Sequence, residues 1–297
     1  MVNYMRINYF EKLHPSINFI YFAAVIFCSM FFMHPVFLAI SLSCGFAYSV
    51  MLNRRKALRF SLCFLFPMMV VTMVLNPLIN HAGATILLYI NDNPITLEAC
   101  LYGIAASAMF ASVILWFSCS NRVMTADKFT YLFGRVLPAL SLMFSMVMRF
   151  VPHYKTKIRE IASAQEGIGR GIRSGSVLAR AKNGMRILSI LVTWALENGV
   201  TTSDSMRARG HGLPGHTNFS IFRFDSRDKV FLLTLLFLIA LVLSGFFLGE
   251  NTVRYFPSIH VLPVTPVSIL TYGAYFLLCF FTIGVNFILE VKYHGSF

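Results

Sequence analysis

Apolar residues run along this chain in blocks of membrane-spanning length, separated by short polar or charged breaks. Residues 17–33 and 35–52 form two closely spaced blocks, and His34-Pro35 marks a turn between them because proline lacks a backbone donor and interrupts a helix. Residues 60–76 form a third block; its Pro67 is tolerable in a membrane helix whose neighbours re-satisfy the freed carbonyl. Residues 101–119 form a fourth, with Trp116 near one end, where interfacial aromatic residues gather. Residues 230–248 and 269–289 complete the set. Each approaches the roughly 20 residues needed to cross about 30 Å of hydrocarbon. The pattern predicts an all-α fold, a polytopic integral membrane helical protein with six spans.

Composition excludes the soluble alternative. Of 297 residues, 57% are hydrophobic and only 12% are charged, against about 25% charged in soluble domains. The formal charge of +13 then reports topology. The segment 53–59 carries Arg54, Arg55, Lys56 and Arg59 with no acid, which predicts a cytoplasmic loop by the positive-inside rule. Alternation puts both termini inside, 77–100 outside with Asp92 and Glu98, 120–229 inside, and 250–266 outside with Arg254 alone. On this map 24 of the 25 Lys and Arg residues face the cytoplasm of a multi-pass cell-membrane protein, where they also favour anionic lipid head groups of the bilayer. The expected domains are 1–119, with about four spans, a cytoplasmic domain 120–228, and 229–297 with about two spans.

Residues 129–150 are apolar enough to be a further span but contain Arg135, Pro138, Ser141, Ser145 and Arg149. A crossing there would need a compensating one, and the only candidate, 187–196, is too short. The segment is therefore expected as a helix along the cytoplasmic face of the bundle, or entering it partly.

Within the cytoplasmic segment, Ile158, Ile161, Ile168 and Ile172 recur at helical spacing, while Arg159, Glu166, Arg170 and Arg173 fall on another face. Gly167, Gly169, Gly171 and Gly175 weaken that helix, and a solvated basic loop is the competing reading. A second helical piece is expected over 184–198. After Gly199, Thr202 or Ser203 would cap a third that carries Met206, Arg207, Ala208 and Arg209 and is stopped by Gly210, Gly212, Pro214 and Gly215. The chain thus twice offers a helix with an arginine between small residues, Gly169-Arg170-Gly171 and Ala208-Arg209-Gly210. Such a guanidinium presents a rigid fork of donors that suits a carboxylate in a partner groove.

An ordered series of motifs extends this reading. LHP at 13–15, NPLINHAGATILLYINDNPITLEACLYG at 76–103, MRFVPHY at 148–154, AQEGIGRG at 164–171 and SMRARGHG at 205–212 resemble the transmembrane T component of energy-coupling factor transporters, the EcfT/CbiQ family. The resemblance implies a non-catalytic scaffold of an ABC-type importer for vitamins or transition metals such as cobalt. Its long cytoplasmic coupling helices would pass motion from two ATPase subunits, a homodimer or an unlike pair, to a membrane-embedded substrate-binding S component. It further implies that Arg170 docks one ATPase and Arg209 the other, with Gly169, Gly171, Met206, Ala208 and Gly210 shaping the contacts. Gly169 stands where many members have alanine, which predicts a softer first helix.

The remaining chemistry is sparse. No GxxxxGK[ST] phosphate loop is present, and GIGRG at 167–171 lacks the lysine and the preceding strand. ATP hydrolysis by this chain, a bound cofactor, a metal site and a nucleic-acid partner are all unexpected. Six cysteines without a CxxC pair read as small residues at helix contacts; His14, His34 and His81 read as interfacial residues, and His211 with His216 as loop residues. A secondary transporter would need polar groups at mid-membrane, for which Pro67 and Asn76 are a thin basis. A membrane enzyme would need clustered histidines or acids, and Asp225, Asp228 and His216 come nearest.

Overall fold

The structure, a computed structural model, describes residues 8–90, 93–134, 138–172, 175–211, 213, 222–249, 252–261, 263 and 265–294. Asp92, Arg135, Arg173, Gly212, Pro214, Gly215 and His216 lie outside the described residues. The chain divides into two compact units, residues 1–125 with 222–297, and residues 126–221. The helices are α1 Pro15–Phe31, α2 Pro35–Phe60, α3 Phe66–Ile79, α4 Leu97–Val123, α5 Ala126–Gly134, α6 Pro138–Gly167, α7 Val177–Ala208, α8 Ser226–Phe247 and α9 Pro266–His294. Two short antiparallel hairpins, Ile86–Ile90 with Asn93–Thr96 and Val253–Arg254 with His260–Val261, add the described strands.

The first unit is a bundle of apolar helices, so the chain is a multi-pass membrane protein. Pro35–Ile79 is helical almost throughout, yet it doubles back at Asn53, whose backbone is non-helical (φ −142°, ψ 49°). The contacts with α4 show the reversal. Leu38 lies by Ala105, and Tyr48 stacks near Trp116, so α2 runs parallel to α4; Leu65 lies by Ala111 and Leu115 on the returning arm. The predicted basic loop is thus a tight reversal followed by a helical turn that carries Arg54, Arg55, Lys56 and Arg59. A π-helical turn, Ser61–Leu65, precedes Pro67 and absorbs the missing amide donor.

A buried polar chain locks four helices together. Ser29 of α1 and Ser41 of α2 share a hydrogen bond of 2.6 Å; Tyr275 of α9 meets Ser29 at 3.1 Å, and the Trp116 indole of α4 donates to Ser41 at 3.0 Å. Trp116 is 0% exposed. The expected interfacial tryptophan is therefore a core residue, because Ser41 supplies its N–H with a partner in an apolar interior. Tyr21 donates to the Cys279 carbonyl at 3.1 Å. Cys28, Cys44, Cys119 and Cys279 are buried at helix contacts, whereas Cys63 is exposed.

Both ends of this bundle are defined by contacts. At one end Tyr255 donates to the Met33 carbonyl, Tyr272 meets His34, and Ala84 donates to the Pro257 carbonyl. At the other, His14 packs on Phe224 and the Phe10 amide donates to Asn286. The start of α1, the Asn53 reversal, the end of α4, the start of α8 and the end of α9 therefore share one end, which carries Arg54, Arg55, Lys56, Arg59 and Arg122, whereas Arg254 lies at the other.

His14 and His34 are helix caps. Each precedes a proline at the first helical position, and each Nδ1 accepts a backbone N–H two residues on, from Ser16 and Val36, at 3.3 Å. Only a neutral ring can accept at Nδ1. Burial lowers the pKa of His14, opposed by Asp228, and burial lowers that of His34. A histidine with a lowered folded pKa binds fewer protons folded than unfolded. Its contribution is complete above about pH 6.5 and is lost as pH falls through the folded value. Thermal stability in detergent should therefore drop on acidification below about pH 6.5. The His14→Asn/His34→Asn variant keeps a capping acceptor and does not titrate, so it should flatten that slope; a slope equal to wild type would assign the effect to other groups.

Candidate coupling site

The second unit centres on an antiparallel pair of long helices, α6 and α7. Trp194 of α7 is held by α6 side chains, with the His153 and Tyr154 ring centroids at 5.2 and 5.8 Å and Lys157 Nζ 5.4 Å from its ring centroid. The Asn183 side chain, near the start of α7, donates to the Gly171 carbonyl beyond the end of α6 at 3.2 Å. Ser141 of α6 donates to the Thr130 carbonyl of α5 at 2.9 Å. The expected single helix over 129–150 is thus two helices, with residues 135–137 outside the described residues.

Three local expectations are corrected. The helix expected to carry Arg170 ends at Gly167, so Ile168 and Ile172 do not continue an inward face and are exposed. No break occurs at Gly199; α7 runs unbroken through 32 residues, and Thr202 is interior. Its hydroxyl donates to the Asn198 carbonyl four residues back at 2.7 Å, which satisfies the side chain inside a helix. The real cap is Ser176, whose Oγ accepts from the Ala179 amide. Within α7 only Ile187 is fully buried, while Leu188, Ile190 and Leu196 are exposed.

Both arginine triplets lie at helix C-termini closed by the same hydrogen-bond pair. At the end of α6 the Gly169 amide donates to the Glu166 carbonyl and the Arg170 amide to Gln165. At the end of α7 the Gly210 amide donates to Arg207 and the His211 amide to Met206. These are Schellman closures, and each requires a left-handed residue, here Gly169 (φ +75°) and Gly210 (φ +82°). The register differs: Arg209 is the helix cap before its glycine, whereas Arg170 follows its glycine. The two guanidinium groups have no hydrogen-bond or ion-pair partner among the described residues. Gly171 is buried and pinned by Asn183, Met206 is half-buried, and Ala208, the last residue of α7, is exposed. Arg209 lies 26 positions beyond Asn183, a rise of about 39 Å along the helix. The triplets are therefore held apart at opposite ends of α7.

Two contributors escaped the sequence reading. Asn183 anchors the Arg170 turn, and Arg149 lines a cleft with Arg209. Arg149 lies within the motif at 148–154, which was the available signal.

No protein-family model matches the chain. Curated relatives do. The chain is 30% identical over 105 residues to the energy-coupling factor transporter transmembrane protein EcfT of Lactobacillus helveticus, covering 35% of this chain and 38% of that protein. It is 32% identical over 111 residues to EcfT of Bacillus selenitireducens (37% and 41%) and 33% identical over 92 residues to EcfT of Brevibacillus brevis (31% and 35%). These matches support the EcfT superfamily. They span less than half the length of each relative.

Proposed function

We propose that this chain is the transmembrane coupling subunit of an energy-coupling-factor-type importer. In this reading it catalyses no reaction. Arg170 and Arg209 each enter a groove on one of two ABC-type ATPase subunits, and α6 and α7 carry their ATP-driven motion to a membrane-embedded S component that delivers a vitamin or transition-metal ion. The observation that carries the reading is the pair of identically closed helix ends, each presenting an arginine without a partner in the described chain, at opposite ends of α7. Two separated anchors suit two partner subunits, and beside Arg170 the space around Gly169 is open for a partner to approach.

The exposed apolar surface of the second unit supports the same assignment. Leu140, Met143, Phe144, Val147 and Met148 on α6 are all more than a third exposed, and contiguous apolar surface of this kind calls for a protein or lipid cover. The basic end of the helical bundle would face the cytoplasm, together with both termini, and residues 120–228 would form the coupling domain. Isolation of the chain from native membranes in mild detergent tests the proposal. Two ATP-binding subunits and a small membrane protein should accompany it; a chain that purifies alone while other membrane complexes survive would refute it.

A further inference from the structure

The two arginine ends are not equivalent in their surroundings. At the Arg170 end the arginine is exposed, and a Cβ placed on Gly167 or Gly169 would meet nothing within 4 Å. The Arg209 end borders a cleft of about 290 Å³ between α6 and α7, lined by Arg149, Phe150, Thr201, Ser205, Met206 and Arg209 among others. Thr201 already donates to the backbone. Arg149, Arg209 and Ser205 have no side-chain hydrogen-bond partner among the described residues, and no acidic side chain lines the cleft.

Resting on the docking role proposed for Arg209, we infer that Arg149 is a second docking residue and that this cleft receives a paired-carboxylate surface of one ATPase subunit. Two guanidinium groups in one cleft repel each other until anions of matching charge are supplied, and each planar fork pairs bidentately with a carboxylate. A lipid phosphate would also satisfy a cation. The carboxylate surface is favoured because the cleft is continuous with the helix end that bears Arg209, so one partner covers both. The two docking points then differ in kind: one charge contact at Arg170, two at Arg209.

The test uses the complex isolated from native membranes. In an Arg170→Ala background only the Arg209 end holds an ATPase. There, Arg149→Gln should weaken retention about tenfold and reduce its sensitivity to added salt, because removal of a docking charge lowers both affinity and salt dependence. Arg149→Lys, which keeps the charge but not the fork, should restore the salt sensitivity and only part of the retention, an outcome that a purely structural role for Arg149 would not produce. Retention equal to the Arg170→Ala protein at every salt concentration would overturn the inference while leaving Arg209 docking intact. Loss of binding to phosphatidylglycerol vesicles in Arg149→Gln with unchanged ATPase retention would also overturn it and assign the cleft to lipid. Absence of any ATPase from the wild-type complex would instead defeat the docking role itself.

Discussion

The Arg170→Ala/Arg209→Ala protein should purify from membranes folded and without ATPase subunits, whereas each single variant should retain about one. Both arginines project from helix ends, and neither side chain holds this chain together: the closures at Gly169 and Gly210 are made by backbone groups alone. Truncation therefore removes a contact with a partner and leaves the fold in place. Arginine hot spots at protein interfaces cost about 2 kcal/mol or more on truncation, a loss of roughly thirtyfold in affinity per site. With about 39 Å of helix between the ends, the two losses should add. Quantitative staining of the co-purified subunits, with circular dichroism to confirm helicity, checks both parts. Full ATPase retention by the double variant would remove these arginines from the interface.

Gly245→Leu should abolish recovery of folded protein, whereas Gly273→Leu should be tolerated. α8 and α9 approach so closely at Gly245 that a Cβ there would overlap the side chain of Thr271, which is buried and donates to the Ser268 carbonyl at 2.8 Å. Neither partner can retreat, since Val242 on the same face of α8 and Leu278 on α9 are also fully buried. Overpacking of this kind costs about 1–3 kcal/mol when neighbours can move, and more when they cannot. A Cβ at Gly273 would meet nothing within 4 Å. The fraction of each variant that elutes as a monodisperse species in detergent, with its Tm, reads the difference. Equal yields would mean that the two helices separate more freely than their packing indicates.

The membrane body was largely legible in the sequence because its determinants are local: apolar blocks of spanning length, prolines at helix starts, and a basic reversal at Asn53. Where side chains act through distant partners, sequence reasoning failed. Trp116 looks interfacial by position, and only Ser41, 75 residues away, makes it a core residue. The run from Thr201 to Ser203 looks like a helix start because the same hydroxyls that cap a helix also bond back to carbonyls within one; a continuing inward face decides which occurs. The apolar run Ile86–Ile90 was not legible as a strand, because its partner strand, Asn93–Thr96, is short and contains a proline. In the coupling region the arginines were legible as residues but not as geometry. Four glycines within nine positions suggested a softened helix, whereas Gly169 is a left-handed stop that throws Arg170 past the helix end.

If two ATPase subunits dock on the two ends of α7, native mass spectrometry of the wild-type complex released from its own membranes should detect both. One copy of this chain should fly with two ATP-binding subunits and one small membrane protein, and each single arginine variant should lose one ATPase. A wild-type chain that flies alone, or with partners that bind no ATP, would rule out ATPase docking at these helix ends.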